Sequence, residues 1–368
     1  AQKAGVNTLV FNNELSPSQS RNISDLTHCN VVDRTELILA IFARHARTNQ
    51  AKLQVELAQL EYNYTRLKHM WRHLSRIEGG IGFRGPGEKQ LEVDRREIRK
   101  KIGVLKKKLE QIENTTIIKR QRRRRITSIA LVGYTNAGKS TIFNKLTHES
   151  RFTADQLFAT LDAMTRMLKS ESGDQVVLTD TIGFIRDLPH RLVASFHSTL
   201  MEVIEADLIL HVVDISNPFL FDQMDAVNKV LAELDADNKN TLYVFNKIDL
   251  VRKNLYAFLR KKILNKYPDS IFLSARQNTG LDGLLDKIDE FLLRSKKPVV
   301  LEVPRALQGL ISFIHDNTEV IGVEAVEDQD LQRMEVRVPR HLYGDIIRQI
   351  EEYKFKEYIN KKDGGNYD

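Results

Sequence analysis

Leu53, Leu57, Leu60, Tyr64, Leu67, Trp71 and Leu74 recur at alternating spacings of four and three. That is the 3.5-residue period of a helix that docks along a seam on another helix. Ile98, Ile102, Leu105, Leu109 and Ile112 repeat it. Two such helices, each too short for an extended coiled coil, predict an antiparallel hairpin. The helical pattern begins near Thr35. Between the two seams, residues 79–88 hold five glycines and a proline. That density excludes helix and predicts a loop at the hairpin tip. Ahead of the hairpin, residues 1–35 read as strand, helix, strand, with Ser16 and Pro17 starting the helix. From Ile126 to about residue 296, strands and helices alternate. Pro298 marks a boundary, and residues 297–360 read as strand, helix, two strands and a final helix.

The predicted organisation is therefore an N-terminal α/β piece (1–35), a helical hairpin with a glycine-rich tip and a basic linker (36–125), an α/β domain (126–296), and a small α+β domain (297–360). A disordered tail is expected over 361–368. The chain begins with Ala1 rather than Met, so upstream sequence is expected to be missing. No apolar run approaches the roughly 20 residues a membrane helix needs, and no membrane anchor is expected. The lone cysteine, Cys29, excludes an intramolecular disulfide. No neighbouring motif would activate it, so it reads as a small core residue.

Charge adds one fact that hydrophobicity does not. The net charge is +7, but residues 93–125 alone carry 14 Lys/Arg against 4 Asp/Glu, which leaves the remainder of the chain at −3. Positive charge this local points to a polyanion.

The chemistry lies in the alternating segment. An apolar strand over 126–132 runs into Gly133, Tyr134, Thr135, Asn136, Ala137, Gly138, Lys139, Ser140 and Thr141, and then a helix. Strand, glycine loop and helix in this order make a phosphate-binding loop. Glycine lets backbone amides turn toward phosphate oxygens, and the helix start adds partial positive charge. Lys139 is expected to reach the β- and γ-phosphates and Ser140 to ligate Mg²⁺. Asp180, Thr181, Ile182 and Gly183 follow a strand at 175–179. The acid there can hold Mg²⁺ through water, and the Gly183 amide can donate to the γ-phosphate.

Asn246, Lys247, Ile248 and Asp249 end a further apolar strand. The Asp249 carboxylate can accept from N1 and N2 of guanine; adenine offers no such pair and would leave the charge unsatisfied. The Lys247 stem can lie over the ring. Ser274, Ala275 and Arg276 come next, with the Ala275 amide expected on guanine O6. GTP, rather than ATP, is the predicted ligand. Phe158, Ala159, Thr160, Leu161 and Asp162 sit between the first two signatures, where Thr160 can close on Mg²⁺ when the γ-phosphate is present. Lys139, Thr160 and Gly183 are the expected catalytic groups. Phe184 stands where many small G proteins carry a water-orienting glutamine, so intrinsic turnover should be slow. Asn136 either coordinates potassium beside the phosphates or stabilises the loop.

These signatures, with Arg186, Leu188, Pro189 and His190, with Asp33, Arg34 and Thr35, and with the stretches 52–60, 79–88 and 91–96, resemble HflX GTPases, a translation-factor-related family. The resemblance spans residues 1 to about 296. It implies a P-loop GTPase of the bacterial cytoplasm, partly ribosome-associated, that binds the large (50S) ribosomal subunit and its rRNA and splits stalled ribosomes under stress. A monomer is expected. The family's N-terminal domain normally starts earlier. Ala163 stands where the family commonly has proline, which should alter loop stiffness rather than chemistry.

Gly79, Gly80, Phe83, Arg84, Gly85, Lys89, Arg95 and Arg96 are the expected RNA contacts. Glycine bares backbone, Phe83 can stack on a base, and helix cations can contact phosphates without reading sequence. A solvated charged helix with a flexible turn is the plainer alternative for these residues. An RNA-remodelling protein with a regulatory GTP site is the competing function.

Overall fold

Ser16 and Gln19 cap each other reciprocally: the Gln19 amide donates to Ser16 Oγ at 3.3 Å, and the Ser16 amide donates to Gln19 Oε1 at 2.9 Å. With Pro17 in the first helical position this starts α1 (Pro17–Thr27). A computed structural model of the chain describes residues 5–77, 86–123, 126–147, 163–170, 174–185, 197–295, 298–326, 330–338 and 340–363. In it α1 connects β1 (Thr8–Val10) to β2 (Asn30–Val32), which pair in parallel.

Asp33 then caps α2 (Arg34–His45) by accepting the Glu36 amide at 2.9 Å. Its other oxygen accepts from Tyr62 Oη at 2.7 Å, Arg66 Nη1 at 3.0 Å and the Leu15 amide at 3.2 Å. A fully buried carboxylate is tolerable only when its lone pairs are filled in this way. One acid thus ties the N-terminal piece to α3 (Asn49–Ile77).

The helical pattern read from Thr35 onward is two helices. Ala46 leaves helical geometry, and Thr48 Oγ1 accepts the Ala51 amide at 3.1 Å to start the second. α4 (Pro86–Arg123) runs antiparallel to α3. Tyr64 accepts from Arg99 at 2.6 Å and Glu61 pairs with Lys106 at 2.8 Å, while Asn49 and Leu53 lie across from Lys108 and Ile112. Two corrections follow. Pro86, Gly87 and Glu88 are helical, not loop, because proline suits a first turn whose N–H groups have no intrahelical partner. Residues 119–123 continue the helix and are not a linker, since Lys and Arg are good helix formers and no breaker intervenes.

The α/β segment forms a six-stranded sheet in the order β4-β5-β3-β6-β7-β8. Its strands are β3 (Thr127–Gly133), β4 (Met164–Lys169), β5 (Gln175–Asp180), β6 (Leu208–Asp214), β7 (Asn240–Asn246) and β8 (Ile271–Phe272). All pairs are parallel except β4 with β5. One face buries Leu131, Leu178 and Leu210 under α5 (Lys139–Leu146) and α9 (Leu281–Ser295). The other buries Ala130, Val132 and Ile209 under α6 (His197–Ile204) and α7 (Leu220–Glu233). Helix α8 (Lys253–Lys266) covers the β7–β8 side. Burial on both faces explains the apolar run Ile129–Val132 of β3 and that of β6, which only the buried His211 interrupts between Leu208 and Val213.

The C-terminal unit is an antiparallel sheet, β10-β11-β9, of β9 (Pro298–Pro304), β10 (Glu319–Ala325) and β11 (Leu331–Arg337), with α10 (Gln308–Asn317) and α11 (Arg340–Asp363). The expected tail from residue 361 is corrected in part. α11 continues through Lys361 and Lys362 to Asp363, because nothing interrupts it before Gly364. Residues 364–368 lie outside the described residues. Among the described residues, no helix is long and apolar enough to cross a membrane.

One cluster joins the helical and α/β parts. Ile38, Leu39, Phe42, Ala46, Ala51, Val55, Ala58 and Tyr62 pack with Ile182 and Ile185, the residues that bracket Gly183 and Phe184. Phe42, 1% exposed, is its largest fully buried side chain. Phe42→Ala should therefore lower stability by about 3–5 kcal/mol, read as a shift of the urea midpoint. A loss below about 1 kcal/mol would show that the cluster does not hold the two parts together.

Candidate nucleotide site

The C-terminal ends of β3, β5, β6 and β7 carry the loops of interest, as expected for an open parallel sheet. Gly133 ends β3 at φ 152°, and a β-carbon there would stand 2.2 Å from the Val212 carbonyl oxygen. Gly138 sits at φ 95°, where a β-carbon would meet Asn246 Nδ2 at 2.1 Å. Both glycines are thus required by backbone conformation and by contact. Between them the loop turns at Asn136, φ 63°. Ala137 is buried. Thr141 lies in the first turn of α5.

Lys139 is 6% exposed and donates to the carbonyls of Gly133 at 3.2 Å and Tyr134 at 3.1 Å. Burial pulls its ammonium down to about 8, with the Asp180 charge opposing. Its charge is thus held within the loop, where phosphate oxygens would stabilise it. Ser140 Oγ donates to Asp180 Oδ2 at 2.6 Å. A hydroxyl and a carboxylate here form the hard-oxygen set that Mg²⁺ favours. Among the described residues, no cluster of His, Cys, Asp or Glu could hold a metal alone. An ion here would need phosphate oxygens and water to complete its shell.

Thr181 Oγ1 donates to the Leu131 carbonyl at 2.6 Å, which fixes the end of β5 to β3. Beyond it the chain stays zipped to the phosphate loop: the Phe184 amide donates to Gly133 O at 3.1 Å, and the Thr135 amide donates to Phe184 O at 2.8 Å. Gly183 lies inside this zipper. A β-carbon on it would come within 2.9 Å of Thr135 Cγ2 and 3.1 Å of Lys139 Nζ.

The base-reading residues are organised by Asn246. Its Nδ2 donates to Ala137 O at 2.9 Å, and its Oδ1 accepts the Lys247 amide at 2.8 Å and the Ala275 amide at 3.0 Å. The Ala275 amide, expected on guanine O6, is here bonded to Asn246. Asn246 thereby acts as a strut between the phosphate loop and the loop after β8. Lys247, at φ 67°, pairs with Asp214 at 2.8 Å, which stretches its stem along the site. Asp249 accepts from the buried Ser274 Oγ at 2.6 Å, and Arg276 is exposed. Ile248 packs below in the core.

Two partners went unread in the sequence. Asp214 had no motif spacing to mark it, and Ser274 was noted without its contact to Asp249. His211, beneath the loop, is buried and held down to about 3, first by burial and then by the Lys139 charge, so it stays neutral. The 158–162 segment, with Thr160, lies outside the described residues, as do Gly79, Gly80, Phe83, Arg84 and Gly85. Lys89 is on α4, and Arg96 is exposed. Arg95 is half-exposed and lies over the Tyr64 ring at 5.6 Å.

Asp249→Asn should shift preference from GTP to xanthosine triphosphate. The exchanged bonds are worth about 1.5–3 kcal/mol each. Equal titration curves for wild type and variant would remove Asp249 from the base.

Three family models match in succession: "GTP-binding GTPase N-terminal" over residues 1–43, "GTP-binding GTPase Middle Region" over 45–123, and "50S ribosome-binding GTPase" over 128–247. The chain is 42% identical to the GTPase HflX of Magnetococcus marinus, covering 95% of this chain and 82% of that protein. It is 51% identical to the Flavobacterium psychrophilum GTPase HflX (89% and 81% covered) and 43% identical to that of Escherichia coli (91% and 78%). A GDP complex of SsGBP has 29% identity, 78% and 82% coverage, and a TM-score of 0.47. By the identity and coverage of these relatives, the chain belongs to the HflX family of GTPases.

Proposed function

We propose that the protein binds the large ribosomal subunit through its basic hairpin and uses GTP to dissociate stalled ribosomes during stress. The observation that carries this is the packing of Ile182 and Ile185 into the α2–α3 cluster. Gly183, between them, stands against Lys139. A γ-phosphate arriving there presses on the segment whose flanking side chains anchor the hairpin helices. The state of the nucleotide thus becomes a force on an RNA-facing element. The match to a "50S ribosome-binding GTPase" model and the net +10 of residues 93–125 support the partner's identity.

In this reading GTP occupies residues 133–141, 158–162, 180–183, 246–249 and 274–276, and the protein acts as a monomer in the cytoplasm. Mg²⁺ is held by Ser140 and Thr160, with Asp180 behind it through water; it neutralises charge on the phosphates. Gly79, Gly80, Phe83, Arg84, Gly85, Lys89, Arg95 and Arg96 contact rRNA. An RNA remodeller with a regulatory GTP site is the second reading, and the same basic hairpin favours it. Stimulation of hydrolysis by intact subunits, and not by arbitrary RNA, separates the two.

Removing residues 79–85 and bridging α3 to α4 with a short turn should leave GTP affinity and intrinsic hydrolysis near normal. Sedimentation with purified large subunits and a non-hydrolysable GTP analogue should show weakened, still salt-sensitive binding. Ribosome splitting, followed by light scattering, should be lost; splitting at the normal rate would reduce the hairpin to an anchor.

Asn136 is proposed to hold potassium beside the phosphates. Hydrolysis in potassium buffer should exceed that in sodium buffer severalfold, and equal rates would assign Asn136 to loop stability alone.

A further inference from the structure

We propose that Thr135 supplies the hydroxyl that positions the water attacking the γ-phosphate, the task that glutamine performs in many small G proteins. The residue after Gly183 is Phe184, and its ring cannot do this. It is 1% exposed and packed in the core cluster of Val132, Leu200, Val203 and Val227.

Thr135 is 6% exposed, and its Oγ1 is fully buried without a hydrogen-bond partner among the described residues. A buried hydroxyl is normally satisfied, and one that is not calls for an explanation. Its position supplies one. Thr135 Cγ2 and Cα lie 2.9 and 3.0 Å from the point where a β-carbon on Gly183 would stand, and Lys139 Nζ lies 3.1 Å from the same point. The hydroxyl therefore belongs to the small region where the lysine expected on the β/γ-phosphates meets the glycine expected on the γ-phosphate. The Thr135 amide is already committed, donating to Phe184 O at 2.8 Å. The hydroxyl is then the group of the Thr135 side chain that can meet a ligand. Its methyl packs on Gly183 and holds the rotamer. Valine would pack as well, so packing alone does not account for the hydroxyl.

In the reaction the water oxygen bonds to the γ-phosphorus as the bond to the β–γ bridging oxygen breaks. The electron pair leaves on GDP, and the water proton ends on the released phosphate. Thr135 accepts a hydrogen bond from the water and exchanges no proton with it in the net reaction. A fixed group at the attacking water contributes through orientation.

Thr135's role rests on the reading above that phosphates sit at Lys139 and Gly183, and GDP binding by the wild type tests that reading separately. Thr135→Val removes the hydroxyl and keeps the methyl; Thr135→Ser does the reverse. Single-turnover GTP hydrolysis should fall about 100-fold in the valine variant, the scale seen on removing one positioned polar group. Serine should recover the rate to within about fivefold. Affinity for GDP and for a non-hydrolysable GTP analogue should change less than about threefold in both, while GDP–aluminium fluoride binding should weaken selectively in the valine variant. Normal hydrolysis by Thr135→Val overturns the assignment. So does an equal loss of analogue and aluminium-fluoride binding, which would make the hydroxyl a ground-state phosphate ligand. So does a serine variant as slow as the valine one. If the valine variant does not fold, Thr135→Ala decides the same question by the same readouts.

Discussion

Two backbone hydrogen bonds between the phosphate loop and the segment after β5 order everything around them. They run between Phe184 and the Gly133–Thr135 stretch. By extending strand-like pairing beyond the last regular residues of β3 and β5, they dictate where consecutive side chains go. Phe184 turns into the sheet core. Ile182 and Ile185 turn outward into the helices of the N-terminal half. Gly183 is left with backbone alone against Lys139. A single local pairing thus sends four neighbouring residues to three different parts of the molecule: the phosphate loop, the sheet core and the contact with the N-terminal helices. The requirement for glycine at 183 then follows from crowding by Thr135 and Lys139, with no appeal to an unusual φ.

The base side of the site is built on a similar economy. Asn246 bonds three backbone groups from two loops and its own neighbour, while Asp214 and Ser274 hold Lys247 and Asp249 in place. Lys247 and Asp249, both expected at the base, are thus held in place by side chains of neighbouring segments. Such preorganisation lowers the ordering cost of binding.

Much of this was legible in the sequence because the signatures are local. A glycine loop between a strand and a helix, or an Asn-Lys-Ile-Asp run after an apolar strand, carries its geometry within a few residues. The alternating spacing that begins at Leu53 likewise predicts a seam, and at Leu53 and Tyr64 that face meets α4. What stayed hidden involves distant partners. Asp33 enters the sequence reading only beside Arg34 and Thr35, and nothing in the chain announces that the Glu36 amide, Tyr62, Arg66 and Leu15 all converge on it. The packing of Ile182 and Ile185 on α2 and α3 joins residues more than a hundred positions apart. Glycine and charge density predict helix limits near Pro86, 119–123 and 361–363 that differ from those observed, because helix propensity and the position of the breaker decide them.

The anchoring of α3 sets a ratio of motion. Its contacts to the switch-flanking isoleucines come from Ala51 to Tyr62, while the helix continues to Ile77. At about 1.5 Å per residue, the stretch beyond Tyr62 adds roughly 22 Å. A rocking of about 10° at the anchored part would sweep the far end through roughly 4 Å, on the scale of one helical turn's pitch. With α3 held at Ala51–Tyr62, a displacement of that part would arrive magnified at its far end.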